Sequence, residues 1–112
     1  MDSTRQQKVA RLLQKDLGEI LQGMPREVSL GAMLTVTVVR VSPDLSMARV
    51  YVSVFPSEKG GQVIENLQKA VGRIRMQCGQ RVRHQLRIVP ALSFFIDDSL
   101  DYADRIESLL SE

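Results

Sequence analysis

Residues 34–55 read LTVTVVRVSPDLSMARVYVSVF, and this stretch decides the fold. Its second half, Met47 to Phe55, alternates without a break. Ala48, Val50, Val52 and Val54 fall on one face, and Arg49, Tyr51 and Ser53 on the other. That period of two is the mark of a half-buried strand. Its first half, Leu34 to Ser42, is rich in valine and threonine, whose branched side chains suit a pleated surface. Between them, Ser42-Pro43-Asp44-Leu45-Ser46 joins a residue preset for turning to one that can satisfy local amides. The segment is a β-hairpin.

Before the hairpin, residues 3–23 carry Val9, Leu12, Leu13, Leu17, Ile20, Leu21 and Met24 at steps of three and four, which predicts an amphipathic helix. Ser3 with Gln6 can form a capping box, and Gly23-Met24-Pro25 is a stop. The outer face holds Arg5, Lys8, Arg11 and Lys15. With Asp16 and Glu19 nearby, it reads as an ordinary solvated surface.

After the hairpin, Ser57 to Gly61 reads as a flexible loop. A second helical pattern starts at Gln62, with Val63, Leu67, Val71, Ile74, Cys78 and Val82 on one face. Gly72 and Gly79 interrupt it, each costing about 1 kcal/mol relative to alanine, so a break is expected near Ala70-Val71-Gly72. Pro90 introduces a third strand, Leu92 to Asp97. Asp98 or Ser99 then caps a short final helix with Leu100, Ala103, Ile106, Leu109 and Leu110 on its apolar side. The strand–helix–strand crossover makes the second and third strands parallel, and the hairpin adds an antiparallel neighbour. The expected fold is α+β: a two-layer sandwich with two long helices over a three-stranded mixed sheet. At 112 residues, the span 1–112 is expected to be one domain.

Charge is unevenly placed. Lys69, Arg73, Arg75, Arg81, Arg83, Arg87 and His84 lie between Glu65 and Asp97 with no carboxylate among them. Asp97, Asp98, Asp101, Asp104, Glu107 and Glu112 follow, against Arg105 alone, so a net charge of +2 conceals opposed segments. A basic run with no acidic residue inside it, where solvated helices usually mix signs to gain i,i+4 pairs, is a footprint for polyanions. On the predicted helix, Lys69, Arg73 and Arg83 lie opposite the core stripe, whereas Arg75 and Arg81 flank it and can serve packing. With two tyrosines, three phenylalanines and no tryptophan, the composition favours contacts to backbone and shape over base stacking.

Other chemistries find little support. The single Cys78 falls on the apolar stripe and reads as core; it rules out a disulfide framework or a cysteine-rich metal site. His84 has no triad partner, and no glycine-rich phosphate loop, metal-ligand cluster or evident carboxylate pair is present. No catalysis, metal or cofactor is expected. No apolar run approaches the roughly 20 residues of a membrane helix, and the N-terminus lacks a leader's apolar stretch. A cytoplasmic, monomeric protein with no membrane contact is expected. A general RNA- or DNA-binding module and a protein-interaction domain remain open alternatives.

Three blocks also carry a resemblance: Val39 to Val54, Leu67 to Arg75, and Leu86 to Phe94. Together they closely resemble bacterial ribosome-binding factor A over about residues 5–110. The resemblance implies a type II KH-like fold whose element order is the one derived above (α-β-β-α-kink-α-β). It implies an Ala-x-Gly kink in place of the GxxG loop of ordinary KH domains, here Ala70-Val71-Gly72, with Gly72 bending one helix into two. It further implies binding to the free 30S ribosomal subunit and its 16S rRNA, late subunit maturation including rRNA 5′-end processing, and a part in growth in the cold. Its partners would include other assembly factors, among them a GTPase, since the chain has no nucleotide-hydrolysis motif. The expected RNA-binding residues are Lys69, Ala70, Gly72, Arg73, Arg75, Arg81, Arg83 and Arg87.

Overall fold

The computed structural model describes residues 3–97. Helix α1 spans Thr4–Gln22 and α2 Arg26–Ser29; strands β1 and β2 are Met33–Val41 and Met47–Phe55; helices α3 and α4 are Gly60–Lys69 and Val71–Val82; strand β3 is Ala91–Ile96. The short final helix expected after Asp98 lies outside the described residues.

The capping box of α1 forms as the sequence implies. The Gln6 amide donates to Ser3 Oγ at 3.2 Å, and the Ser3 amide donates to Gln6 Oε1 at 2.9 Å. The Gln6 side-chain amide also donates to the Val41 carbonyl at 2.9 Å. One buried residue therefore starts the helix and ties it to the end of β1. Val9, Leu13, Leu17, Ile20 and Leu21 are buried against the sheet.

The sheet order is β1-β2-β3, with β1 antiparallel and β3 parallel to β2. In β1 the phase of burial shifts: Leu34 and Val36 face inward, then Val39 and Val41. A bulge at Thr37 absorbs the extra residue, since Val36 pairs with Val52 and Val38 with Tyr51. The freed backbone is satisfied locally. Gln14 donates to the Thr37 carbonyl at 3.1 Å, and the Thr37 hydroxyl bonds the Asp97 carboxylate. The edge of β3 is covered by Gln68, whose Oε1 accepts from the Phe94 amide at 3.0 Å.

Two segments differ from the sequence expectation. Residues 57–61 are not a flexible loop: Ser57–Lys59 form a 3-10 turn after the cis Phe55–Pro56 bond, and α3 already begins at Gly60. Gly60 is buried, and a Cβ there would stand 2.7 Å from Ile96 Cδ1, so the missing side chain lets the helix start against the sheet. Helix α2 was not anticipated, because a single turn is too short to show a period. Leu30 and Gly31, with φ of 56° and 77°, end it and turn the chain into β1.

Candidate nucleic-acid interface

The break between α3 and α4 falls on Ala70 alone. Its amide donates to the Asn66 and Leu67 carbonyls at 3.1 Å each, and its carbonyl accepts from the Ile74 amide at 3.0 Å. Its φ of −91° and ψ of 8° are open to any L-residue. The bend therefore does not come from Gly72, contrary to the role expected for that glycine. Gly72 lies inside α4, and apart from its own helix turn no described atom stands within 4 Å of the position a Cβ would take. Its contribution is open space rather than backbone freedom.

That space is the floor of a concavity of about 460 Å³ formed with Glu27, Val28, Asn66, Lys69, Ala70 and Arg73. Asn66 fixes its far wall by donating to the Val28 carbonyl at 3.2 Å, which holds α2 against α3. Arg73 is exposed at its rim. Lys69 lies 3.5 Å from Glu65 one turn back, with both side chains well exposed. Such a pair is worth little in water and leaves the ammonium available. Ala70, Gly72, Lys69 and Arg73 thus come together as a bare, basic-edged hollow at a helix junction.

Arg75 and Arg81 are occupied elsewhere. Arg75 is half-buried, and its Nε and Nη2 donate to the Pro90 and Val89 carbonyls at 3.1 and 2.6 Å. It clamps α4 to the segment entering β3. Arg81 turns toward α1, where it pairs with Glu19 and lies 3.7 Å from Asp16. The basic run thus has acidic partners across the helix pair, which a count along the chain could not show. Both guanidiniums are engaged by partners within the fold.

Arg83 and Arg87 are exposed beyond the far end of α4, with His84 beside Arg83. Arg87 faces a second cavity of about 490 Å³ that also takes in Arg5, Lys8, Leu45, Leu86, Ile88 and Asp44. The face of α1 read as ordinary surface therefore supplies two cations to the same end of the molecule as Arg87. Asp16 and Glu19 do not neutralise them, because both are engaged with Arg81. The signal was present in the spacing of Arg5 and Lys8, but only tertiary structure brings Arg87 to them.

Cys78 is fully buried on the core side of α4, and burial, with Asp16 nearby, pushes its thiol up to about 11. It is a neutral core group. Among the described residues no His/Cys/Asp/Glu cluster suited to a metal ion occurs, and no helix is long and apolar enough to cross a membrane. The arrangement is equipped to hold an anionic polymer.

Comparison with known proteins shows the family and the fold. Residues 5–110 match the family model for ribosome-binding factor A. The ribosome-binding factor A of Christiangramia forsetii is 48% identical over 107 residues, covering 95% of this chain and 82% of that protein. That of Flavobacterium psychrophilum is 45% identical over 112 residues, covering 99% and 86%. The crystal structure of ribosome-binding factor A from Thermus thermophilus superposes with a TM-score of 0.69 at 30% identity, covering 81% of this chain and 93% of that one. Thermus thermophilus ribosome-binding factor A fitted into a cryo-EM map of a 30S complex gives 0.66 at 31% identity, covering 80% and 91%.

Proposed function

Because the chain belongs to the ribosome-binding factor A family, we propose that it is a non-catalytic assembly factor that docks on the free small ribosomal subunit and supports its late maturation. The observation that carries the site is the glycine-floored hollow at the α3–α4 junction, edged by Lys69 and Arg73. A phosphate backbone can approach Gly72 closely because no side chain stands there, while the two cations neutralise it. Arg83 and Arg87 extend the contact along the molecule, and Arg75 and Arg81 hold α4 in position. The recognised partner is 16S rRNA, read through backbone and shape. The same reading includes support of rRNA 5′-end processing and of growth in the cold, action as a monomeric single domain in the cytoplasm, and release by a partner such as an assembly GTPase.

Sedimentation with purified ribosomal particles tests this. The wild-type protein is expected to travel with free small subunits and not with assembled ribosomes. Charge reversal of Lys69, Arg73 and Arg83 together is expected to abolish that association in a folded protein. Neutralising the three instead is expected to flatten the dependence of log affinity on log salt by about 2, at roughly 0.7–0.9 per phosphate contact. Undiminished binding by the charge-reversed protein would overturn the site. Equal binding to arbitrary RNA would instead favour a general KH-like module.

A further inference from the structure

Among the described residues, helices cover the sheet on one face only, and the open face has an unusual composition. Outward residues line up across the strands in register. Arg40 stands directly opposite Arg49, and Val38, Tyr51 and Phe95 form the next row. Like charges placed directly opposite one another destabilise a sheet. Among the described residues neither arginine has a carboxylate within salt-bridge distance. They border a shallow depression of about 250 Å³ with Ser42 and Met47. Beside them, the Tyr51 and Phe95 rings stack with centroids 5.6 Å apart and planes 30° from parallel. Phe95 is 42% exposed and Val38 37%, and Phe55 is 72% exposed further along the same face of β2.

Two guanidiniums with no carboxylate partner among the described residues, next to an exposed aromatic stack, match one partner chemistry. The cations match phosphates, and an aromatic pair offers a flat apolar surface that an unpaired base can extend. A duplex keeps its base faces inside and could engage only the arginines. Arg49 and Tyr51 are two residues apart on one face, roughly 7 Å along the strand, which lets a phosphate and a neighbouring base be held together. We propose that this open face is a second RNA-binding surface, on which a single-stranded segment places phosphate at Arg40 and Arg49 and stacks a base on Tyr51 and Phe95. For its setting this rests on the rRNA reading above; its residues are separate from the junction hollow.

The chain has two tyrosines and no tryptophan, so Tyr102→Phe leaves Tyr51 as the reporting fluorophore. Titrating that protein with a short oligouridylate is expected to quench its emission, whereas an RNA duplex of equal length is not. Phe95→Ser, and Arg40→Gln with Arg49→Gln, are expected each to weaken oligouridylate binding about tenfold, the scale of one lost base stack, at an unchanged unfolding midpoint. Absence of quenching, or unchanged affinity in both variants, would overturn the proposal. So would variants that leave oligonucleotide binding intact but lose retention on subunits, because the face would then dock a ribosomal protein. Charge reversal at Lys69 and Arg73 serves as the control. Loss of subunit binding with quenching retained supports both surfaces, and loss of quenching in that control overturns a separate sheet site. Unchanged subunit binding by the control removes the junction hollow while leaving the sheet result to stand by itself.

Discussion

Replacing Arg75 by methionine should unfold the protein at lower temperature without touching RNA contacts directly. The guanidinium spans two carbonyls, Pro90 at 3.1 Å and Val89 at 2.6 Å, at the corner where the chain enters β3. A hydrogen bond to a charged group contributes about 1.5–3 kcal/mol, and acceptors left unpaired add a desolvation cost. Methionine keeps most of the aliphatic stem, so the loss is mainly that of the two bonds. Because the side chain is only half-buried, about 2–4 kcal/mol is expected rather than the full sum. At roughly 4–8 °C per kcal/mol for a domain of this size, the midpoint should fall by about 10–30 °C. Thermal unfolding followed by circular dichroism measures it. Arg73→Met, on the exposed rim, should shift stability by no more than about 0.5 kcal/mol and weaken subunit binding instead. An Arg75→Met protein with wild-type stability and weakened binding would refute the assignment, since Arg75 would then be facing the RNA.

Gly72→Ala should stabilise the fold by up to about 1 kcal/mol, because the added Cβ meets no described atom beyond its own helix turn within 4 Å, while Gly72→Leu should fold normally and bind subunits less tightly; chemical denaturation and sedimentation check the pair. Cys78 should resist alkylation until the protein unfolds. With the folded thiol pushed up to about 11 from 9.0, stability is fully present below pH 9.0 and declines by about 1.4 kcal/mol per pH unit toward 11, a slope that Cys78→Ala should lessen. Asp44 accepts from Ser42 Oγ, Ser46 Oγ and the Ser46 amide, which lowers its carboxyl below the ordinary 3.8. Its contribution is present above pH 3.8 and is lost as pH falls through the folded value, so wild type and Asp44→Asn should converge in stability in strong acid.

The parts of the fold legible in the sequence are those with a local period. The alternation from Ala48 to Val54 places β2 residue for residue, and the stripe from Val9 to Leu21 places α1 with its cap. In β1 the inward positions Val36 and Val39 stand three residues apart instead of two, and the extra residue at Thr37 accounts for that break in the alternation. Helix α2 and the 3-10 turn are shorter than any period and owe their form to neighbours such as Asn66 and the Leu30 carbonyl that holds Lys59. The candidate site was legible in charge but not in partnership. Lys69, Gly72 and Arg73 meet as their spacing implies, whereas the acceptors of Arg75 and the carboxylates facing Arg81 come from distant segments. The aromatic count does not show where those residues lie. Three of the five aromatic residues, Tyr51, Phe55 and Phe95, lie on the open sheet face, where a low total still makes a dense patch.

The central claim is that rRNA lies against Gly72. Because Cys78 is buried and inert, Glu27→Cys offers a single reactive thiol on the surface at the edge of the Gly72 hollow, to which a short photo-crosslinker can be attached. On free small subunits the account predicts crosslinks to 16S rRNA that disappear as salt is raised. Crosslinks confined to ribosomal proteins, from a protein that still binds the subunit, would contradict it.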